Sequence, residues 1–136
     1  MRLAVIWIPG TPIPQGSKIA RAVGNRAVMF EANKKHKPWR QHCHDVITRE
    51  IARQELHLYD EALHVSMAFY MPRPKSVKRA RPSVKPDLSK LVRAVEDSMT
   101  TAGLIKDDAL ICGLSASKSY AESDTLTGVL VTLRYL

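Results

Sequence analysis

Little in this sequence supports thiol chemistry, zinc binding or membrane insertion. The two cysteines, Cys43 and Cys112, stand far apart without metal-ligand spacing. They read as reduced thiols of a cytoplasmic protein, for which a disulfide is possible but unneeded. No zinc pattern, internal repeat or long apolar run is present, and no Ser or Cys nucleophile stands with a plausible His partner. The apolar start, residues 1–8, is short and meets Pro9, Pro12 and Pro14 at once, which fits neither a signal peptide nor a membrane span. Acidic residues are also few, 13 against 21 Lys and Arg, for a net charge of +8. That excess suggests a polyanionic partner, nucleic acid being the commonest. Charge alone equally fits a protein that is merely soluble.

What is present is one domain's worth of alternating elements. At 136 residues the chain suffices for one core but not two. Residues 3–8 predict a first, largely buried strand. Residues 19–23 and 26–30 flank Gly24-Asn25, a strong two-residue hairpin signal. Residues 38–56 predict an amphipathic helix with Trp39, Cys43, Val46, Ile47 and Ile51 towards the core. His36, His42 and His44 lie close together, but His42 and His44 point apart on a helix and read as surface or interface residues. Residues 63–71 alternate with period two, as a half-buried strand does. Residues 110–120 and 126–135 predict two more strands. The expected fold class is α+β: a single domain, residues 1–136, whose mostly antiparallel mixed sheet carries two main helices on one face.

Two basic stretches stand out. Residues 18–40 hold seven cations, including Lys18, Arg21 and Arg26, against Glu31 alone. Residues 72–86 hold Arg73, Lys75, Lys78, Arg79, Arg81 and Lys85 with no acid, and four prolines deny them regular structure. Charged strand edges and solvated loops are common in any protein. The position of the second stretch, directly before a carboxylate cluster, suits capture of a phosphate backbone.

That cluster belongs to residues 85–108. Leu88, Leu91, Val92, Val95, Met99 and Ala102 share one helix face, while Ser89, Arg93, Glu96, Asp97 and Thr100 crowd the other. Pro86 precedes the helix and Gly103 is placed to cap its end. Asp87 stands at the N-terminus and Asp107-Asp108 follow the helix. An aspartate is favoured at a helix start whatever the protein does, so the acids alone leave structural and metal-binding readings open. A helix over 87–102 is about 22 Å long, and the six residues onward reach about 20 Å. Asp87 and Asp108 meet only if the chain doubles back almost straight. Otherwise Asp107 and Asp108 lie nearer Arg93 and Asp97.

Lys85, Asp87, Leu88, Lys90, Leu91, Arg93, Asp107 and Asp108 match, in order and spacing, the signature of the RusA-type Holliday junction resolvases and their phage-borne relatives. Asp97 matches a frequent aspartate of the same helix. One position departs: the second Asp of the Asp-x-Asp motif is Ser89 here. The resemblance implies an endodeoxyribonuclease of DNA recombination, repair or phage DNA processing. Its substrate would be branched DNA, a four-way junction nicked symmetrically by a homodimer.

Phosphodiester cleavage needs an activated water and charge neutralisation, which Mg2+ on oxygen ligands supplies, with Mn2+ able to substitute. On this reading Asp87 and Asp108 are the principal ligands. Asp107 is a further ligand or orients metal-bound water, and Arg93 stabilises phosphate charge. Lys85, Lys90 and the loop cations Lys75, Lys78, Arg79 and Arg81 hold DNA, with Lys18, Arg21 and Arg26 from the hairpin. Ser89 lacks a carboxylate's charge, which lowers metal affinity. Asp97 lies about 12 Å along the helix, too far for direct replacement. The alternative is therefore a weakened or inactive branched-DNA-binding protein. Apolar residues of the first strand or hairpin are candidates for the dimer surface.

Overall fold

The computed structural model describes residues 3–15, 18–23, 26–31 and 36–136, with 18–23, 26–31 and 36 described by backbone alone. Period-two patterning forms β4, Leu63–Met71, in which every second side chain from Leu63 to Met71 is buried. On one side β4 pairs antiparallel with β6, Gly128–Tyr135, and β6 pairs antiparallel with β1, Leu3–Pro9. On its other side β4 pairs parallel with β5, Ile111–Tyr120, giving the order β1-β6-β4-β5. Parallel neighbours need a crossover, and here residues 72–110 supply it, including helix α2, Leu88–Thr101. Helix α1, His36–Gln54, packs beside α2 on the same sheet face. A separate two-stranded sheet pairs β2, Lys18–Val23, with β3, Arg26–Glu31. Val23 stands opposite Arg26, the register a two-residue turn requires, although Gly24 and Asn25 themselves lie outside the described residues. Among the described residues no helix is long and apolar enough to cross a membrane.

The core lies between the four-stranded sheet and the two helices. Leu91, Val95 and Met99 from α2 meet Trp39, Cys43 and Ile47 of α1 and the inward side chains of β1, β4 and β6 in one cluster. Each such side chain contributes about 2 kcal/mol by leaving water. The first strand departs from the expectation that it is largely buried. Ala4, Ile6 and Ile8 face the core, while Leu3, Val5 and Trp7 face solvent. An edge strand of a sheet with helices on one face only has one open side, whatever its composition.

Two glycines are fixed by geometry. Gly103, at φ +79°, follows the Ala102 cap of α2 and lets the chain turn sharply. Gly128, at φ +155°, leaves no room for a Cβ, which would stand 2.4 Å from the Ile8 carbonyl oxygen and 2.7 Å from the Trp7 ring. The bond between Lys85 and Pro86 is cis.

Candidate active site

Helix α2 carries the candidate residues because its apolar stripe turns Arg93, Glu96, Asp97 and Thr100 away from the core. The chain after Gly103 decides which acid meets them. Leu104 and Ile105 are buried, and Tyr59 holds this segment through Tyr59 N–H to Leu104 O at 2.9 Å and Lys106 N–H to Tyr59 O at 2.9 Å. The segment is thus pinned near the C-terminal end of α2 rather than running back along it. Asp107 accepts the Ala109 N–H at 2.8 Å and so caps the single 3-10 turn at Asp108–Leu110. Asp108, half-buried, accepts a hydrogen bond from the Thr100 hydroxyl.

Glu96, one turn before Thr100, shares this place. Partial burial raises its carboxyl pKa, and the charges of Asp108 and Asp97 raise it further against the opposing pull of Arg93. Crowded carboxylates with a cation alongside are an arrangement that a hard divalent ion relieves. The donors, two carboxylates and a hydroxyl, are the oxygen chemistry magnesium takes. Donor type and charge therefore fit. Among the described residues, however, no group of three or more His, Cys, Asp or Glu side chains is placed to hold an ion within one chain. Asp97 stands 3.9 Å from Arg40 of α1.

The structure does not bring Asp87 to this pair. Asp87 is the exposed N-cap residue of α2, and its carboxylate makes no capping hydrogen bond. Thr100 follows thirteen residues later, about 20 Å along the helix. Ser89 is exposed beside Asp87.

Asp87 instead borders a cleft of about 700 Å³ between residues 11–15, the 72–86 loop and the end of β5, with Arg79, Lys85, Lys90 and Lys118 around it. The basic loop has no regular structure, as its prolines predict, yet it is held. The Lys118 ammonium donates to Val84 O at 2.6 Å and Pro86 O at 2.8 Å. The Arg73 guanidinium lies 4.4 Å from the Tyr120 ring centre and donates to Arg79 O at 3.0 Å. Arg79 donates to the Tyr120 hydroxyl at 2.8 Å. Lys75, Lys78 and Arg81 are exposed on the loop. The side chains of Lys18, Arg21 and Arg26 lie outside the described residues.

Sequence reasoning set Glu96 and Thr100 on the polar face without giving them a role. Their spacing of four, which stacks two side chains on one helix face, was the available signal. Lys118 and Tyr120, two apart on β5, read from the sequence as structural residues, Lys118 with a phosphate within reach, and their contacts with the 72–86 loop are structural. The two cysteines are free thiols: Cys43 is buried with its pKa pushed up to about 12 by desolvation, and Cys112 is exposed. His42 meets the Pro9 carbonyl at 2.6 Å and His44 meets Asp45 at 3.4 Å, so both have structural partners.

No curated protein matches the chain. A family model described as endodeoxyribonuclease RusA matches residues 9–134, nearly the whole length.

Proposed function

The chain belongs to the RusA endodeoxyribonuclease family, and from that premise we propose that it resolves four-way DNA junctions by metal-dependent, paired symmetric nicks. The observation that carries the metal site is the crowding of Glu96 and Asp108 beside Arg93 on α2, in a chain of net charge +8. Glu96 and Asp108 would hold the ion, with the Thr100 hydroxyl orienting Asp108 and Asp107 beside it. Bound magnesium would supply an activated water and offset charge on the phosphate. Arg93 stabilises the negative charge that develops there. Lys85, Lys90 and the exposed cations of the 72–86 loop hold the backbone on either side.

A homodimer suits this chemistry twice over. Two opposed strands need two sites. Asp87, too distant to join Asp108 within one chain, would become a ligand of the same ion if a second copy presented it.

Ser89 favours a second reading, a junction-binding protein of weakened catalysis. Asp97 does not replace the missing carboxylate: it lies about 12 Å along the helix from Ser89 and is paired with Arg40. A nicking assay on a synthetic four-way junction with magnesium or manganese decides between them. Symmetric nicks lost in Asp108→Asn support the enzyme, and tight binding without nicks supports the second reading. Ser89→Asp is expected to raise cleavage at least tenfold, since it restores a charged donor at the α2 N-terminus. An unchanged rate would refute the role given to that position.

A further inference from the structure

The cleft bordered by Asp87 is more than a path for backbone phosphates. Its volume, about 700 Å³, falls in the range of small-ligand sites. Its walls are apolar: Ile13, Met71 and Val84, with prolines between them. A phosphate has no use for such walls, whereas the faces of a nucleobase do. Cations at the rim, Arg79, Lys85 and Lys90, leave the anionic part of a nucleotide at the mouth. Asp87 is the single acid among the lining residues.

Gln15 supplies the second, independent observation. Its Oε1 is buried in the cleft wall and has no hydrogen-bond partner among the described residues. A buried acceptor left unmatched costs about 1–3 kcal/mol, so a donor brought to Oε1 would stabilise the bound state. The Gln15 backbone is fixed by its N–H to Lys90 O at 3.1 Å, which ties the wall to α2. Tyr120, with Arg73 over its ring and Arg79 on its hydroxyl, is likewise immobilised. The cleft is preformed rather than a gap between loose segments.

We propose that this cleft takes one unstacked nucleotide at the branch point of the DNA, with Gln15 Oε1 accepting from the exocyclic amine of an adenine or cytosine. Adenine N6 and cytosine N4 are donors on the pairing edge, whereas guanine and thymine present acceptors at the equivalent position. Extruding a base costs least where its surroundings already hold it less firmly, and at the crossing point of a junction the flanking pairs have lost continuous stacking from arm to arm. The inference rests on the junction-binding reading and adds to it a means of sequence choice.

The test is fluorescence anisotropy with fluorescein-labelled synthetic four-way junctions in EDTA, so that cleavage does not intervene. Each nucleotide at the branch point is replaced in turn by an abasic site and by each of the other bases. Removing the captured base is expected to weaken binding by the wild-type protein about tenfold. Adenine or cytosine at that position binds several-fold more tightly than guanine or thymine, and Gln15→Leu erases this preference while leaving the salt dependence. Should intact and abasic junctions bind equally well at every position, the pocket assignment is overturned and junction binding stands. Absence of binding to any junction at low salt overturns the junction reading, and this inference with it. The abasic comparison uses the wild-type chain alone, so misfolding of Gln15→Leu does not leave the matter open.

Discussion

Mixing two inactive variants tests whether the metal site spans two copies of the chain. Two oxygens on one magnesium ion stand within about 4 Å of each other. Asp87 lies about 20 Å along α2 from Thr100, the residue that holds Asp108. Aspartate side chains are short, so one chain leaves a gap of about 10 Å or more between the two carboxylates. Asp87→Asn and Asp108→Asn should each be inactive alone. Mixed in equal amounts and allowed to exchange subunits, about half the dimers are heterodimers. Each heterodimer has one site with both carboxylates intact and one with neither. Nicking should therefore return to about a quarter of the wild-type rate, as single nicks rather than paired cuts. Differently sized tags on the two variants verify exchange by native mass spectrometry. Verified heterodimers that remain inactive would refute the shared site and place all the ligands of an ion in one chain.

Three further outcomes are expected. In EDTA, Glu96→Gln should melt at a higher temperature than wild type at neutral pH. The raised Glu96 carboxyl contributes stability below its ordinary value of 4.5 that is lost as pH rises through its folded value; the advantage should therefore vanish below that pH, and a thermal melt series from pH 4 to 8 checks it. Magnesium should stabilise wild type more than this variant. Lys118→Met removes both carbonyl contacts of the 72–86 loop and should cost about 1–2 kcal/mol. Tryptic cleavage after Lys75, Lys78 or Arg79 should accelerate, and an unchanged digestion rate would show that the clamp does not hold the loop. Replacing Lys75, Lys78 and Arg81 together by alanine should reduce the slope of log affinity against log salt by about 3, without changing which junction sequences bind best.

Local patterning made much of the fold readable. The alternation of residues 63–71 and the apolar stripe of α2 each fix an element and its inward face, and both lie where expected. Strand order was not readable, because no local spacing shows that β6 inserts between β1 and β4 or that β5 runs parallel to β4. The open face of β1 has the same origin, since burial of Leu3, Val5 and Trp7 depends on what covers the sheet. The acids at 87, 107 and 108 were legible as candidates, but their relation was not. Backbone pairing between Tyr59 and the segment after Gly103, more than forty residues apart in sequence, sets which end of α2 Asp108 reaches. That long-range contact is what sets the charge of Asp108 beside Glu96. A spacing rule places side chains on a face but does not say what arrives opposite them.

The two thiols offer a practical handle. At physiological pH the buried sulfur of Cys43 carries essentially no thiolate, whereas Cys112 stands in solvent four residues beyond Asp108. A maleimide dye should therefore attach at one position per chain, a short step from the crowded carboxylates. Energy transfer between donor- and acceptor-labelled copies then reports whether two chains associate, and at what separation, before and after a junction is added.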